Sequence, residues 1–127
     1  MIAKTTGVYL AYTRVFFETM KKSRPLSSVA GMVTKDALAR ALKTIKDGGA
    51  DWFVYVNGNP QENRTEDEGR TEIMNVQGLP EKVYAILEDY GDPSTWDEIY
   101  EPETAETLRS ALGNKRHKLT IMFASDY

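Results

Sequence analysis

The chain has 127 residues, which is the length of one domain and suffices to bury a hydrophobic core without a metal or a disulfide. It contains no cysteine, which excludes disulfide frameworks, thiol nucleophiles and thiolate zinc sites. The net charge of −3 at pH 7 argues against non-specific binding to nucleic acid. We therefore expect a single domain over residues 1–127.

The N-terminal segment 1–14 lacks the charged region, the apolar stretch and the cleavage site of a secretory signal. No apolar run reaches the length that spans a bilayer, so we expect a cytoplasmic protein without membrane contact. The common phosphate, dinucleotide, zinc and nucleophile-elbow motifs are all missing from the sequence. The sequence therefore predicts no cofactor, no metal and no catalytic residue.

The clearest structural pattern joins a helix to a strand in the first half of the chain. Leu38, Leu42 and Ile45 recur at helical spacing, and a pair of glycines that can end a helix follows them. The next run, WFVYV, is apolar on both faces, which is typical of a central strand. The pattern predicts a helix over 34–47 and a strand over 51–57.

The apolar spacing near the N-terminus predicts another helix, over 8–22. The β-branched and aromatic residues of GVYLAY leave a strand over 8–12 open as the alternative. Residues 23–33 contain an Arg-Pro pair and two consecutive serines, and because a residue before proline avoids helical geometry, this segment is predicted to be a connection.

A proline stands at the first position of two further predicted helices, over 80–90 and 102–112, and a glycine follows each of them. Between them, the S-x-x-D pattern at 94–97 has the form of a capping box. It predicts a short helical turn.

Alternating apolar residues predict two more strands, over 71–76 and 118–124. The polar segment 58–69 suits a hairpin connection, so 71–76 is predicted to pair antiparallel with 51–57. The expected fold class is α+β, with a small antiparallel sheet of about three strands packed with three to four helices. Two apolar sheet faces imply that helices cover both of them, or that a second copy covers one of them in a homodimer.

Charge is distributed unevenly along the chain. Residues 1–48 carry a net charge of +6, residues 49–106 carry −12, and residues 107–127 carry +3. Within residues 49–106, the stretch 88–106 holds eight carboxylates and no basic residue. A surface of one sign attracts partners of the opposite sign, so this layout predicts a basic partner.

Our leading functional hypothesis is a non-enzymatic protein-binding accessory or inhibitor module. Its acidic, aromatic-containing surface at about residues 88–106 would occupy a basic, nucleic-acid-binding site on a partner protein, as in a phage-type inhibitor of a host defence system. The competing interpretation is that basic helices neutralise this segment internally and that its aromatic residues fill the core. The predicted contact residues are Glu88, Asp89, Tyr90, Asp92, Trp96, Asp97, Glu98, Tyr100 and Glu101.

Two other classes of function stay open. A nucleic-acid-binding module would use the basic stretches 21–24 and 115–118, which would have to converge on one face. Direct binding of this kind is the weaker expectation because the chain is acidic overall. A small enzyme would need a pocket that gathers His117 with a carboxylate such as Asp51 or Glu72. The nucleic-acid-binding module would use the basic residues of the two stretches, which are Lys21, Lys22, Arg24, Lys115, Arg116 and Lys118.

Overall fold

The computed structural model describes residues 7–58, 64–66 and 69–127. Within these residues the chain forms six strands, four α-helices and two short 3-10 turns. The strands are β1 (Val8–Tyr12), β2 (Trp52–Asn57), β3 (Arg64–Glu66), β4 (Thr71–Val76), β5 (Val83–Asp89) and β6 (His117–Phe123). The helices are α1 (Arg14–Met20), α2 (Arg24–Asp47), α3 (Trp96–Ile99) and α4 (Pro102–Leu112), and the turns are Pro93–Thr95 and Ala124–Asp126.

All six strands join one mixed sheet in the order β1-β6-β5-β2-β4-β3. The pairs β1–β6 and β2–β4 are parallel, and the other three neighbouring pairs are antiparallel. The predicted combination of helices with a sheet is confirmed. The predicted sheet of about three antiparallel strands is wrong in its strand number and in its pairing.

The segment that was predicted to be a helix over 80–90 is strand β5. Val83, Ala85 and Leu87 are buried and alternate with less buried neighbours, which is the period of a strand. The strand is hydrogen-bonded on both sides, to β2 and to β6. Apolar residues occur there at helical spacing as well as in alternation. Pairing with the distant strands β2 and β6 therefore favours the strand over the helix.

The predicted connection over 23–33 is instead the first part of α2. The Ser23 side chain accepts a hydrogen bond of 3.3 Å from the backbone N–H of Leu26 and so caps the helix. Pro25 lies in the first turn, where its missing N–H removes no helical hydrogen bond. The predicted helix over 34–47 is therefore the second half of a 24-residue helix that ends at Gly48, with φ 80°.

The N-terminal prediction of a helix over 8–22 is wrong in its first part. Residues 8–12 form strand β1, which was the alternative left open, and helix α1 begins only at Arg14. Thr13 is extended, with φ −69° and ψ 153°, and separates the strand from the helix. Pairing with β6, about a hundred positions later in the sequence, makes this segment a strand.

Residues 71–76 form a strand as predicted, but β4 runs parallel to β2 rather than antiparallel. The short strand β3 precedes β4 and pairs with it antiparallel. The predicted hairpin connection over 58–69 is therefore not a simple turn, and its residues 59–63 and 67–68 lie outside the described residues.

Helices α1 and α2 pack on one face of the sheet and form the main core there. Buried residues of α2, including Val33, Ala37 and Ala41, meet alternate residues of the strands, such as Phe53 and Ile121. The small side chains of the two alanines allow α2 to approach the sheet closely. On the opposite face, the rings of Trp52, Tyr84 and Tyr127 contact each other edge to face.

The connection between β5 and β6 forms a second, smaller core. We call residues 90–116 the α3–α4 module, since they contain both of these helices. The buried residues Trp96, Ala105 and Leu112 pack there, separately from the main core. The predicted short turn and the predicted helix over 102–112 are both present, and the turn is capped by Asp92 rather than by Ser94.

The two faces of β6 should respond differently to truncation. Ile121 lies in the main core without exposure to solvent, whereas Met122 points to the opposite face and is partly exposed. Ile121→Ala is expected to lower the free energy of unfolding by about 2–5 kcal/mol. Met122→Ala, the matched control, should cost clearly less in the same urea titration. Equal losses would contradict the assignment of the helix-covered face.

Candidate functional site

The aromatic residues of the predicted binding surface hold the α3–α4 module together. Trp96 is 0% exposed, and its indole N–H donates a hydrogen bond of 2.9 Å to the carbonyl of Tyr90. The hydroxyl of Tyr100 is 3.4 Å from the same carbonyl oxygen. Trp96 therefore fills the small core, as the competing interpretation expected, and presents no surface to a partner.

Two of the predicted carboxylates form internal ion pairs. Asp97 accepts two hydrogen bonds from Arg109, of 2.9 and 3.0 Å, which join α3 to α4. Asp89 accepts two from Arg116, of 2.7 and 3.0 Å, which join the end of β5 to the residue before β6. Hydrogen bonds from Arg116 are the main reason that the pKa of Asp89 falls from 3.8 to about 2. These carboxylates stabilise the module.

Two other predicted contact residues also lie close to groups of the same chain. Asp92 accepts a hydrogen bond of 2.9 Å from the backbone N–H of Ser94, which caps the 3-10 turn and lowers the pKa of this carboxyl. Glu88 is exposed and lies near the side chain of Tyr90. Burial, together with this nearby carboxylate, raises the pKa of Tyr90.

The remaining predicted residues, Glu98 and Glu101, are exposed and flank a hydrophobic side chain that was not among the predicted contacts. That side chain is Ile99, which is 63% exposed. Glu103 extends the same stretch into α4. Among the described residues, no ion pair involves these three glutamates. We call residues 98–103 the acidic segment.

His117, the only histidine of the chain, lines a polar concavity of about 400 Å³. Asp51 and Asp89 line it as well. The concavity therefore gathers His117 with Asp51, as the enzyme hypothesis requires, whereas Glu72 does not line it. The side chain of His117 is 15% exposed, and its Nε2 lies 3.8 Å from the nearest oxygen of Asp89. Burial is the main cause that lowers the pKa of His117, and Asp89 partly opposes this effect.

Another concavity, of about 490 Å³, lies where α2 crosses β2 and β4, and it contains a hydrogen-bond network that sequence analysis missed. The hydroxyl of Tyr55 donates to Asp36 at 2.7 Å, and Arg40 donates to Asp36 at 2.7 Å and to Glu72 at 3.0 Å. Burial, and then Asp36, raise the pKa of Tyr55. The network fixes α2 on the sheet. Its side chains hydrogen-bond to each other rather than pointing polar groups into the concavity, where a ligand could bind.

The two basic stretches do not meet. Stretch 21–24 lies at the start of α2, whereas Arg116 and His117 line a concavity together with Thr44 and Gly48 at the end of that helix. At about 1.5 Å per residue, the 24 residues of α2 span about 36 Å. The convergence that the nucleic-acid hypothesis requires is therefore not present.

Metal and membrane features are also lacking in the described part of the chain. Among residues 7–58, 64–66 and 69–127, no three histidine, aspartate or glutamate side chains cluster in a way that could hold a metal ion. None of the helices described there combines the length and the apolar character needed to cross a bilayer.

Comparisons with known proteins found no matching family model, no matching curated protein and no matching solved structure.

Removing the partner of Asp89 should change the pH dependence of stability. The pKa of Asp89 is depressed in the folded state, so its contribution is present above about pH 4 and is lost as the pH falls towards 2. Arg116→Gln should lower the free energy of unfolding at pH 7 only slightly, because both side chains are about half exposed and solvent screens the pair.

Urea titrations at pH 7 and at about pH 3 measure this effect. The difference in stability between the two pH values should be smaller in Arg116→Gln than in the wild type. Lys115→Gln removes a neighbouring cation that has no ion pair among the described residues, so it serves as the control. If both variants behaved alike, Asp89 would not depend on Arg116.

His117 gives a direct test of the polar concavity, because a single histidine yields unambiguous imidazole signals in an NMR titration. The midpoint is expected below 6.5 in the wild type. Asp89→Asn should lower it further, since this variant removes the carboxylate that favours the charged imidazolium and leaves Arg116 in place. An unchanged midpoint in Asp89→Asn would show that the two side chains do not interact.

Proposed function

We propose that this chain is a non-enzymatic protein-binding module whose acidic segment docks into a basic site on a partner protein. The observation that carries the proposal is Ile99, an exposed isoleucine flanked by Glu98 and Glu101, which have no ion pair among the described residues. An apolar anchor surrounded by charges is a common composition for a binding surface, because the anchor supplies affinity and the charges supply orientation.

The surroundings of this segment favour binding because they are rigid. The Asp97–Arg109 pair joins α3 to α4, and the buried Trp96 fixes the turn that carries Ile99. A surface that is already ordered loses little conformational entropy when a partner binds. Of the residues predicted for the site, we assign Glu98 and Glu101 as contacts. Glu88 lies outside the acidic segment, and the others act as supports: Asp89, Tyr90, Asp92, Trp96, Asp97 and Tyr100.

The charge of the module suggests the chemistry of its partner. The module, residues 90–116, contains six carboxylates against Arg109, Lys115 and Arg116, a net charge of −3, and the adjoining end of β5 adds Glu88 and Asp89. Closely spaced carboxylates on a firm surface suit a groove that normally binds phosphates. We therefore favour an inhibitor of a nucleic-acid-binding protein, of which a phage-type inhibitor of a host defence system is one form.

A small enzyme is the second candidate, and the concavity of His117, Asp51 and Asp89 is the observation in its favour. Catalysis in this concavity would need a free nucleophile or base beside His117. Asp89 is instead bound by Arg116, and the Thr44 hydroxyl donates to the carbonyl of Ala50. These groups leave no activated nucleophile next to the imidazole. His117→Ala would remove such an activity and leave partner binding unchanged.

Charge reversal in the acidic segment tests the proposed function. Glu98→Lys/Glu101→Lys should abolish capture of the partner from a cell lysate, because the reversed charges would repel a basic groove. Glu81→Lys/Asp126→Lys is the control for net charge, at the other end of β5 and β6. These two carboxylates accept hydrogen bonds from Ser125 and Thr13, so circular dichroism on this variant checks that the fold is retained.

The supporting result is one protein that both the wild type and the control capture and the Glu98/Glu101 variant does not. A duplex oligonucleotide should displace this protein from the wild type. Displacement by the oligonucleotide would locate the contact in a nucleic-acid-binding groove. A partner captured equally by the Glu98/Glu101 variant would place the interface elsewhere on the chain.

A further inference from the structure

An apolar groove lies between α1 and α2, at the end of the molecule opposite the α3–α4 module. Its volume is about 240 Å³, and we call it the α1–α2 groove. Phe17 is 51% exposed at its border, although an aromatic ring of this size is usually more buried. The residues that line it include Tyr12, Phe16, Phe17, Met20, Ala30 and Gly31.

The floor of the groove is open because one of its residues has no side chain. Gly31 lies within α2, and a Cβ atom built on it would meet no other atom within 4 Å. Glycine inside a helix costs about 1 kcal/mol relative to alanine, so the helix itself gains nothing from it. The missing side chain leaves room for an apolar group from outside.

The surroundings of the α1–α2 groove are basic. Lys21 lines the groove, where its ammonium lies 5.1 Å from the ring centre of Phe17 and 3.6 Å from the exposed carboxylate of Glu18. Residues 14–24 hold four cations against the single carboxylate of Glu18, a net charge of +3. An occupant that combines an apolar side chain with flanking carboxylates would match both features of the groove.

The acidic segment of the same chain has this composition, with Ile99 between Glu98 and Glu101. It does not reach the groove of its own molecule, because the α3–α4 module joins the sheet at the start of β6, whereas Tyr12 of the groove pairs with Ile121 near the end of that strand. We infer that Ile99 of one copy inserts into the α1–α2 groove of a second copy, so that the chain associates head to tail. This inference rests on the proposed function to the extent that both use the acidic segment.

A head-to-tail contact joins two different surfaces, so each added copy leaves one free groove and one free acidic segment at the ends. The assembly therefore closes into a ring or grows as an open chain, and its mass rises with protein concentration. Opposite charges flank the contact, so salt weakens it as the Debye length falls from about 10 Å at 0.1 M to about 3 Å at 1 M.

Two single substitutions test the inference by sedimentation velocity over a series of protein concentrations at low salt. Ile99→Asp removes the inserted side chain and keeps the groove. Gly31→Leu fills the groove and keeps Ile99, and it should favour the α2 helix because leucine has the better helix propensity. Each variant alone is expected to stay monomeric under conditions in which the wild type associates.

The equimolar mixture of the two variants is the decisive sample. Ile99 of the Gly31→Leu variant can still enter the groove of the Ile99→Asp variant, and no further contact can follow. The mixture should therefore form a dimer and nothing larger. Circular dichroism on each variant checks that the fold is retained.

Three results would overturn the inference: a monomeric wild type at every concentration, variants that self-associate like the wild type, or a mixture that stays monomeric. A monomeric wild type would leave the groove to an acidic segment of another protein. Gly31→Leu also separates this inference from the proposed function. It should lose self-association but still capture the basic partner, whereas Ile99→Asp should weaken both.

Discussion

The packing of α2 across one face of the sheet is the constraint on which the rest of the structure depends. Ala37 and Ala41 let the helix approach the strands closely. Arg40 joins the helix to Glu72 of β4, and Tyr55 of β2 donates to Asp36 of the helix. Because α2 is long, it sets the separation between the two ends of the molecule. The α1–α2 groove lies near the start of α2, and the polar concavity of His117 lies at its end.

The sequence carried enough local information for some elements and too little for others. The strand over 51–57 and the helix over 102–112 have strong patterns and clear ends, and both formed as predicted. Residues 80–90 carry a helical and an alternating pattern at once, and only pairing with two distant strands makes them β5. A single sequence does not show such pairing, nor the parallel arrangement of β2 and β4.

The candidate site was located by charge, and charge alone could not separate supports from contacts. Asp89 and Arg116 are 27 positions apart, and Asp97 and Arg109 are 12 apart, so no local pattern links them. Trp96 was predicted to be a contact because aromatic residues are frequent in interfaces, but the same residue type is needed to fill a small core. Ile99 stands out only in the structure, where Trp96 and Tyr100 pack inward and Ile99 stays exposed.

On the proposed arrangement, self-association and partner binding compete for Ile99. A copy whose acidic segment lies in the groove of another copy has no free segment for a partner, so the apparent affinity for the partner falls with the fraction of free segments. The same mutual exclusion keeps an exposed isoleucine covered when the partner is absent. Dilution and high salt would both release the segment, but high salt would also weaken the basic partner's attraction, so dilution is the condition that favours partner binding.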